Sequence, residues 1–202
     1  MSRINGQGVP KRELFEMAQS GTLPEGYSGW DIADRFGWTV AHVAARYGNL
    51  PDGFDKWDIG AGKQFSRDGR PNKFDDWTVA HEAAKWGSLP SGFDGWDIEA
   101  GCGWTVAHVA AQWGRLPRGV DQWNLCDDTG TTVAHEAARH GTLPWDAPDD
   151  VMGLVDGKGR TVEDLHGRWM TMRVSSIIET LIHQKSPYSE CRGNMAGQGQ
   201  FL

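Results

Sequence analysis

The 202-residue chain has little of what marks secreted, membrane or disulfide-stapled proteins. Its three cysteines, Cys102, Cys126 and Cys191, are an odd and scattered set. That argues against a disulfide framework and fits a reducing compartment. No apolar run is long enough to read as a bilayer-crossing helix. The first ten residues are polar and glycine-bearing, without the apolar stretch of a secretory signal. These absences predict a cytoplasmic protein, in the host cytoplasm if viral, with no membrane partner. Catalytic signatures are missing as well. There is no GxxxxGK[ST] phosphate loop and no nucleophile elbow, and Gly60-Ala-Gly62 lacks strand–turn–helix context. No cofactor is expected.

Glycine and tryptophan, by contrast, are abundant. The chain carries 27 glycines and 11 tryptophans, in a composition that is 39% hydrophobic and 23% charged, with a net charge of −7. Average glycine usage of roughly 7% predicts about half as many. So much glycine in an otherwise globular composition implies many specified turns. So much tryptophan implies a task performed repeatedly.

The sequence does repeat. Thr-Val-Ala-His begins at Thr39, Thr78, Thr105 and Thr132, so the last two steps are 27 residues and the first is 39. The surplus falls at 60–73, a polar Gly/Pro-bearing stretch that reads as an insertion. After each His come two alanines, two variable residues and Gly, then Leu-Pro, as at Leu50-Pro51 and Leu89-Pro90. A Trp follows at Trp57, Trp96 and Trp123, and Trp30 fits the same frame upstream. Thr39 suits an N-cap, Val40, Val43 and Ala44 fall at helical spacing, and Gly48 sits where a left-handed C-cap ends the helix. Each unit therefore predicts an inner helix of about two turns, a single outer turn or 3₁₀ piece, and a hairpin-like connection. The units are 11–33 (a degenerate N-terminal cap), 34–74, 75–99, 100–126, 127–155 and a C-cap at 156–185, with the apolar stretch 174–182 as a terminal helix. Flexible ends are expected at 1–10 and 186–202.

The run Asp34-x-x-Gly37-x-Thr39-x-x-His42-x-Ala44-Ala45-x-x-Gly48-x-Leu50 resembles the ankyrin repeat signature D-x-x-G-x-T-P-L-H-x-A-A-x-x-G-x-L. Asp127 to Leu143 matches again, and the resemblance spans residues 11–185. Val replaces the family's Pro after Thr, Ala replaces its Leu before His, and Asp76 stands in for the Gly at 37. The unit has 27 residues against the family's 33, and the loss falls in the outer helix. The resemblance implies an all-α, ankyrin-like helical solenoid of about five to six short stacked repeats, of bacterial or phage type.

His42, His81, His108 and His135 invite a metal or acid–base reading, and His81-Glu82 and His135-Glu136 look like half of H-E-x-x-H. Lys85 and Arg139 occupy the i+4 positions where a second ligand belongs, so neither metal nor catalytic residues are expected. The family resemblance implies instead that each His bonds the Thr hydroxyl and a neighbouring turn's backbone. The tryptophans of Trp-Asp-Ile read as covers over the apolar seam. Trp38, Trp77 and Trp104 occupy one recurring slot, and Tyr47, Trp86, Trp113 and His140 another. In ankyrin repeats such slots face the concave partner surface, so these residues are expected to form two aromatic ladders for binding. Packing on one another is the competing reading. Arg46, Lys85 and Arg139 flank the second ladder, and Lys63, Arg67 and Arg70 lie in the insertion. The expected function is a non-enzymatic module gripping a protein partner, such as a nuclease or nucleoprotein complex, in the manner of a phage or bacterial inhibitor of a host defence complex. The alternative is nucleic-acid binding through a basic aromatic groove.

Overall fold

The computed structural model describes residues 8–62, 76–119 and 121–184. Most of the insertion, with Lys63, Arg67 and Arg70, lies outside the described residues, as do 1–7 and the tail at 186–202. The described residues form α1 (Lys11–Ser20), α2 (Val40–Tyr47), α3 (Val79–Trp86), α4 (Val106–Gln112), α5 (Val133–His140), α6 (Asp149–Met152) and α7 (Val162–Gln184), with a 3₁₀ turn at Gly101–Gly103. Extended pairing among them is limited to isolated antiparallel bridges, one before each repeat helix, such as Ala33 with Thr39 and Cys126 with Thr132. The chain is all-α, with a hairpin-like turn leading into each helix from α2 to α5 and into α7.

A helix leaves its first amide groups without partners inside the helix. From α2 to α5 each unit supplies them in the same way. The amides of Val40 and Ala41 donate to the carbonyls of Ile32 and Trp30 in the preceding Trp-Asp-Ile segment. The amides of Val79 and Ala80, Val106 and Ala107, and Val133 and Ala134 repeat that pattern. Thr39 Oγ1 accepts the His42 amide, and the Thr39 amide donates to His42 Nδ1. In three of the five units the turn that delivers the Thr is closed by an Asp, and Ala61 and Ala100 take that position in the other two. Asp34 Oδ1 accepts from the amides of Phe36 and Trp38, and Asp127 and Asp156 do the same in their units. The turn position at Gly37 has φ 85°, and Asp76 holds the corresponding left-handed position at φ 55°.

The helices stop at left-handed glycines, Gly48, Gly87 and Gly141 among them. The residue after each glycine reaches back to the preceding helix. Asn49 Nδ2 donates to the Ala18 and Gln19 carbonyls, Ser88 Oγ to Ala45, and Thr142 Oγ1 to Ala111. These bonds satisfy last-turn carbonyls of one helix with a side chain of the next.

Consecutive helices pack side by side in chain order, and α7 closes the row against α5. The seam is built from alanines, since Ala41, Ala44, Ala45, Ala80, Ala83, Ala107, Ala110, Ala134 and Ala138 are fully enclosed. Small residues let helix axes approach to the close end of the usual 8–10 Å. After Leu-Pro the outer segment makes one hydrogen-bonded turn, Phe54 N–H to Pro51 O and Phe93 N–H to Pro90 O. Only the last unit extends this into a helix, α6, among the described residues.

The C-terminal helix differs from expectation. It runs unbroken from Val162 rather than starting near 174. Asp164 explains the early start, because its carboxylate accepts the Thr161 amide while Thr161 Oγ1 accepts the Asp164 amide. That reciprocal cap nucleates the helix where the other units use His.

Gly48 and Gly141 share a left-handed backbone, φ 71° and 67°, but not the space around it. A Cβ on Gly48 meets only Ser88 at 3.9 Å, whereas one on Gly141 would overlap the Trp169 indole. Gly48→Ala is expected to cost roughly 1–2 kcal/mol for the left-handed conformation alone. Gly141→Ala is expected to cost clearly more, because α7 must shift. Urea denaturation of the two variants checks this.

Candidate partner-binding surface

The recurring histidines are fully buried and both ring nitrogens are engaged. Thr39, Thr78, Thr105 and Thr132 place Oγ1 at 2.7–2.8 Å from Nδ1 of His42, His81, His108 and His135. Each Nε2 lies 2.9–3.0 Å from a carbonyl of the following unit: Trp77, Trp104, Thr131 and Arg160 in turn. A carbonyl has no proton to give, so Nε2 is the donor. Nδ1 then accepts from the Thr amide and hydroxyl, which defines a neutral imidazole. Burial pushes His42 and His81 down to about 4, against the opposing pull of the carbonyl acceptors. His108 is lowered for the same reason.

The first aromatic set is the roof over this chain of histidines. The Trp77 and Trp104 rings are 4% and 7% exposed, and Trp38 is half-buried against the core. Trp38 packs edge-on to His42 at 5.1 Å, Trp77 lies 5.0 Å from His81, and Trp104 stacks on His108 at 5.8 Å. The expectation of an outward-facing ladder at Trp38, Trp77 and Trp104 is therefore corrected. The slot immediately precedes the N-cap Thr, and the hairpin-like turn brings its indole across the imidazole of its own unit.

The second set faces outward. Tyr47 is 50% exposed, Trp86 43% and Trp113 50%, and His140 is also exposed. Three of the four are the last residue of their helix, and Trp113 follows the end of α4. Neighbouring units touch along this row, with the Arg46 guanidinium 4.9 Å from the centre of the Trp86 ring and Lys85 Nζ 5.7 Å from it. Arg46 and Arg139 are exposed and Lys85 half-buried.

Two buried carboxylates hold this face in place, and both were unread as such in the sequence. Glu82 accepts from Trp77 Nε1 at 3.1 Å and from Trp86 Nε1 at 2.7 Å, joining the enclosed row to the exposed one. Glu136 accepts from Arg139 at 2.6 Å and pairs with His140 at 3.3 Å. Val43 and Val109 take this position in the alternate units. The visible signal was the Glu after His, which resembled a fragment of a metal motif.

A third aromatic row lies on the outer turns. Tyr27, Trp30, Phe54, Trp57, Phe93 and Trp96 meet edge-to-face in sequence, with centroids 5.1–5.4 Å apart. The tryptophans do cover the seam, but Phe54 and Phe93 interleave them. Their signal was the Gly-Tyr or Gly-Phe three residues after Leu23, Leu50 and Leu89. The sequence carries Ala147 at that position in the last repeat, and clefts of about 820 and 480 Å³ open past Trp96, the second beside Trp145, which is 92% exposed.

Two outcomes follow from these contacts. His42 and His81 bind fewer protons folded than unfolded, so their stabilisation is complete above the ordinary 6.5 and is lost as pH falls toward 4. Between pH 7 and pH 5, His42 and His81 should each remove roughly 2 kcal/mol, read by urea denaturation, and His81→Ala should flatten that slope. Separately, Trp86→Ala leaves one oxygen of buried Glu82 without its donor and should cost roughly 1–3 kcal/mol. Trp113→Ala should cost far less, and equal losses would contradict this assignment.

No protein-family model and no curated protein matches the chain. Among solved structures, one chain of the complex between the Bd0816 predatory endopeptidase from Bdellovibrio bacteriovorus and immunity protein Bd3460 is similar at a TM-score of 0.47 and 19% sequence identity, over 79% of this chain and 92% of that one.

Proposed function

We propose that this chain is a short ankyrin-like solenoid that acts by holding a protein partner, without catalysis of its own. One observation carries the reading: Tyr47, Trp86 and Trp113 stand half-exposed at the same position of successive units, while the other described Phe, Tyr and Trp rings, Phe36 and Trp145 apart, are buried or half-buried. Aligned exposed aromatics are costly to leave in water and are preferred anchors of interfaces. Fixing them on packed helices lowers the ordering cost of association. The repeat period, the Thr–His caps and the hairpin-like turns are what the ankyrin resemblance implies and support that part of the proposal. The non-enzymatic part is supported by the histidines, whose ring nitrogens are both used and enclosed. The partner as a host defence complex, blocked by occupation of its surface, rests on the resemblance alone.

Affinity capture from the native host, read by mass spectrometry, tests the proposal with Tyr47→Ala/Trp113→Ala as the control. Neither side chain holds a buried hydrogen bond among the described residues, so the double variant should keep a cooperative melt. It should also lose the captured protein. Retention of the same protein by the variant overturns this face as the interface.

A further inference from the structure

Resting on that reading, we infer that the exposed row accepts an extended acidic peptide segment with one carboxylate every third residue. The row has a chemical rhythm. The residue before each outward ring is Arg46, Lys85, Gln112 and Arg139 in turn, a cation in three of four units. Among the described residues, neither Arg46 nor Lys85 has a carboxylate within ion-pair distance, so both present uncompensated charge on a chain of net charge −7. Arg139 is shared with Glu136.

The rhythm has a length. Alanine-lined seams hold adjacent helices about 8–9 Å apart. A polyproline-type strand turns once every three residues and rises about 9 Å in doing so. Such a segment presents the same side to every unit, so a carboxylate at each third position would meet Arg46, Lys85 and Arg139, with Gln112 between as a neutral donor. Its intervening residues would lie along Tyr47, Trp86 and Trp113.

The same contacts disfavour a nucleic acid. Base stacking needs an open ring face, and the Trp86 ring already has Arg46 and Lys85 over it. Nucleic-acid interfaces are also far more positive than this one.

Fluorescence anisotropy on the full chain tests the register. The probes are a labelled peptide of four Glu-Pro-Pro triplets, an isomer of identical composition with Glu at every second position, and a single-stranded oligonucleotide. The triplet peptide should bind about tenfold or more tighter than its isomer, weaken with added salt, and lose binding in Arg46→Glu/Lys85→Glu while the thermal melt holds. Equal affinity for the two isomers, or binding of the oligonucleotide with no binding of the triplet, overturns the inference. If the triplet fails while Tyr47→Ala/Trp113→Ala still abolishes host-partner capture, the acidic register falls and the interface stands. If capture survives that variant, the interface itself falls.

Discussion

A neutral imidazole held between a threonine and the carbonyl of the next unit is the contact on which this molecule depends. Remove the ring and the Thr amide loses its acceptor, the hydroxyl loses its partner, and a carbonyl one unit away is stranded. The contact works only in a dry site, because an imidazolium would set a second N–H against the Thr amide. Dryness is supplied by the alanine seams below and by Trp38, Trp77 and Trp104 above. The tryptophans that close over the histidines also lend them acceptors, since the Trp77 and Trp104 carbonyls receive His42 and His81. Trp77 and Trp104 thus each shield the imidazole of their own unit and accept from that of the unit before.

Much of this was legible because it is local. Thr at the cap, Ala at the seam and Gly at the stop each act within one helix, so their spacing alone places α2 to α5. The start of α7 was harder. Asp164 caps as well as His does, but nothing in the Thr-Val-Ala-His pattern predicts a carboxylate in its place. The direction of the aromatic slots was not legible at all. Trp77 and Trp86 are both tryptophans flanking the same helix, and only the hairpin-like turn decides that one folds over His81 while the other points out. Glu82 was misleading for a related reason: its two partners are indoles on either side of the helix, which no metal-type spacing would reveal.

The three aromatic rows divide the work of the unusual tryptophan content. One shields the histidines, one binds the outer turns edge to face in place of a full outer helix, and one is left at the surface. The surface row is not loose. Glu82 and Glu136 reach it from inside, in alternate units, and fix Trp86, Arg139 and His140 by their polar atoms. A carboxylate of this kind is enclosed at a cost, which its donors offset only while the outer side chains stay in one orientation.

Asp164 has one more consequence. The imidazole bonds all run one way, each unit donating toward the C-terminal side, so the stack behaves like a polymer with directed links. Phe15 stands in α1 where the repeats have His, so α1 donates no such link; the His42 unit only passes one on, and the His81, His108 and His135 units both receive one and pass one on. Asp164 keeps the cap but is too short and has no ring to reach onward. It is a chain terminator in the polymer sense: a unit spliced in ahead of residue 156 would find both an incoming and an outgoing link, whereas one added after α7 would be offered none. The directed links thus stop at a single side-chain exchange, Asp164 in the position of the imidazole.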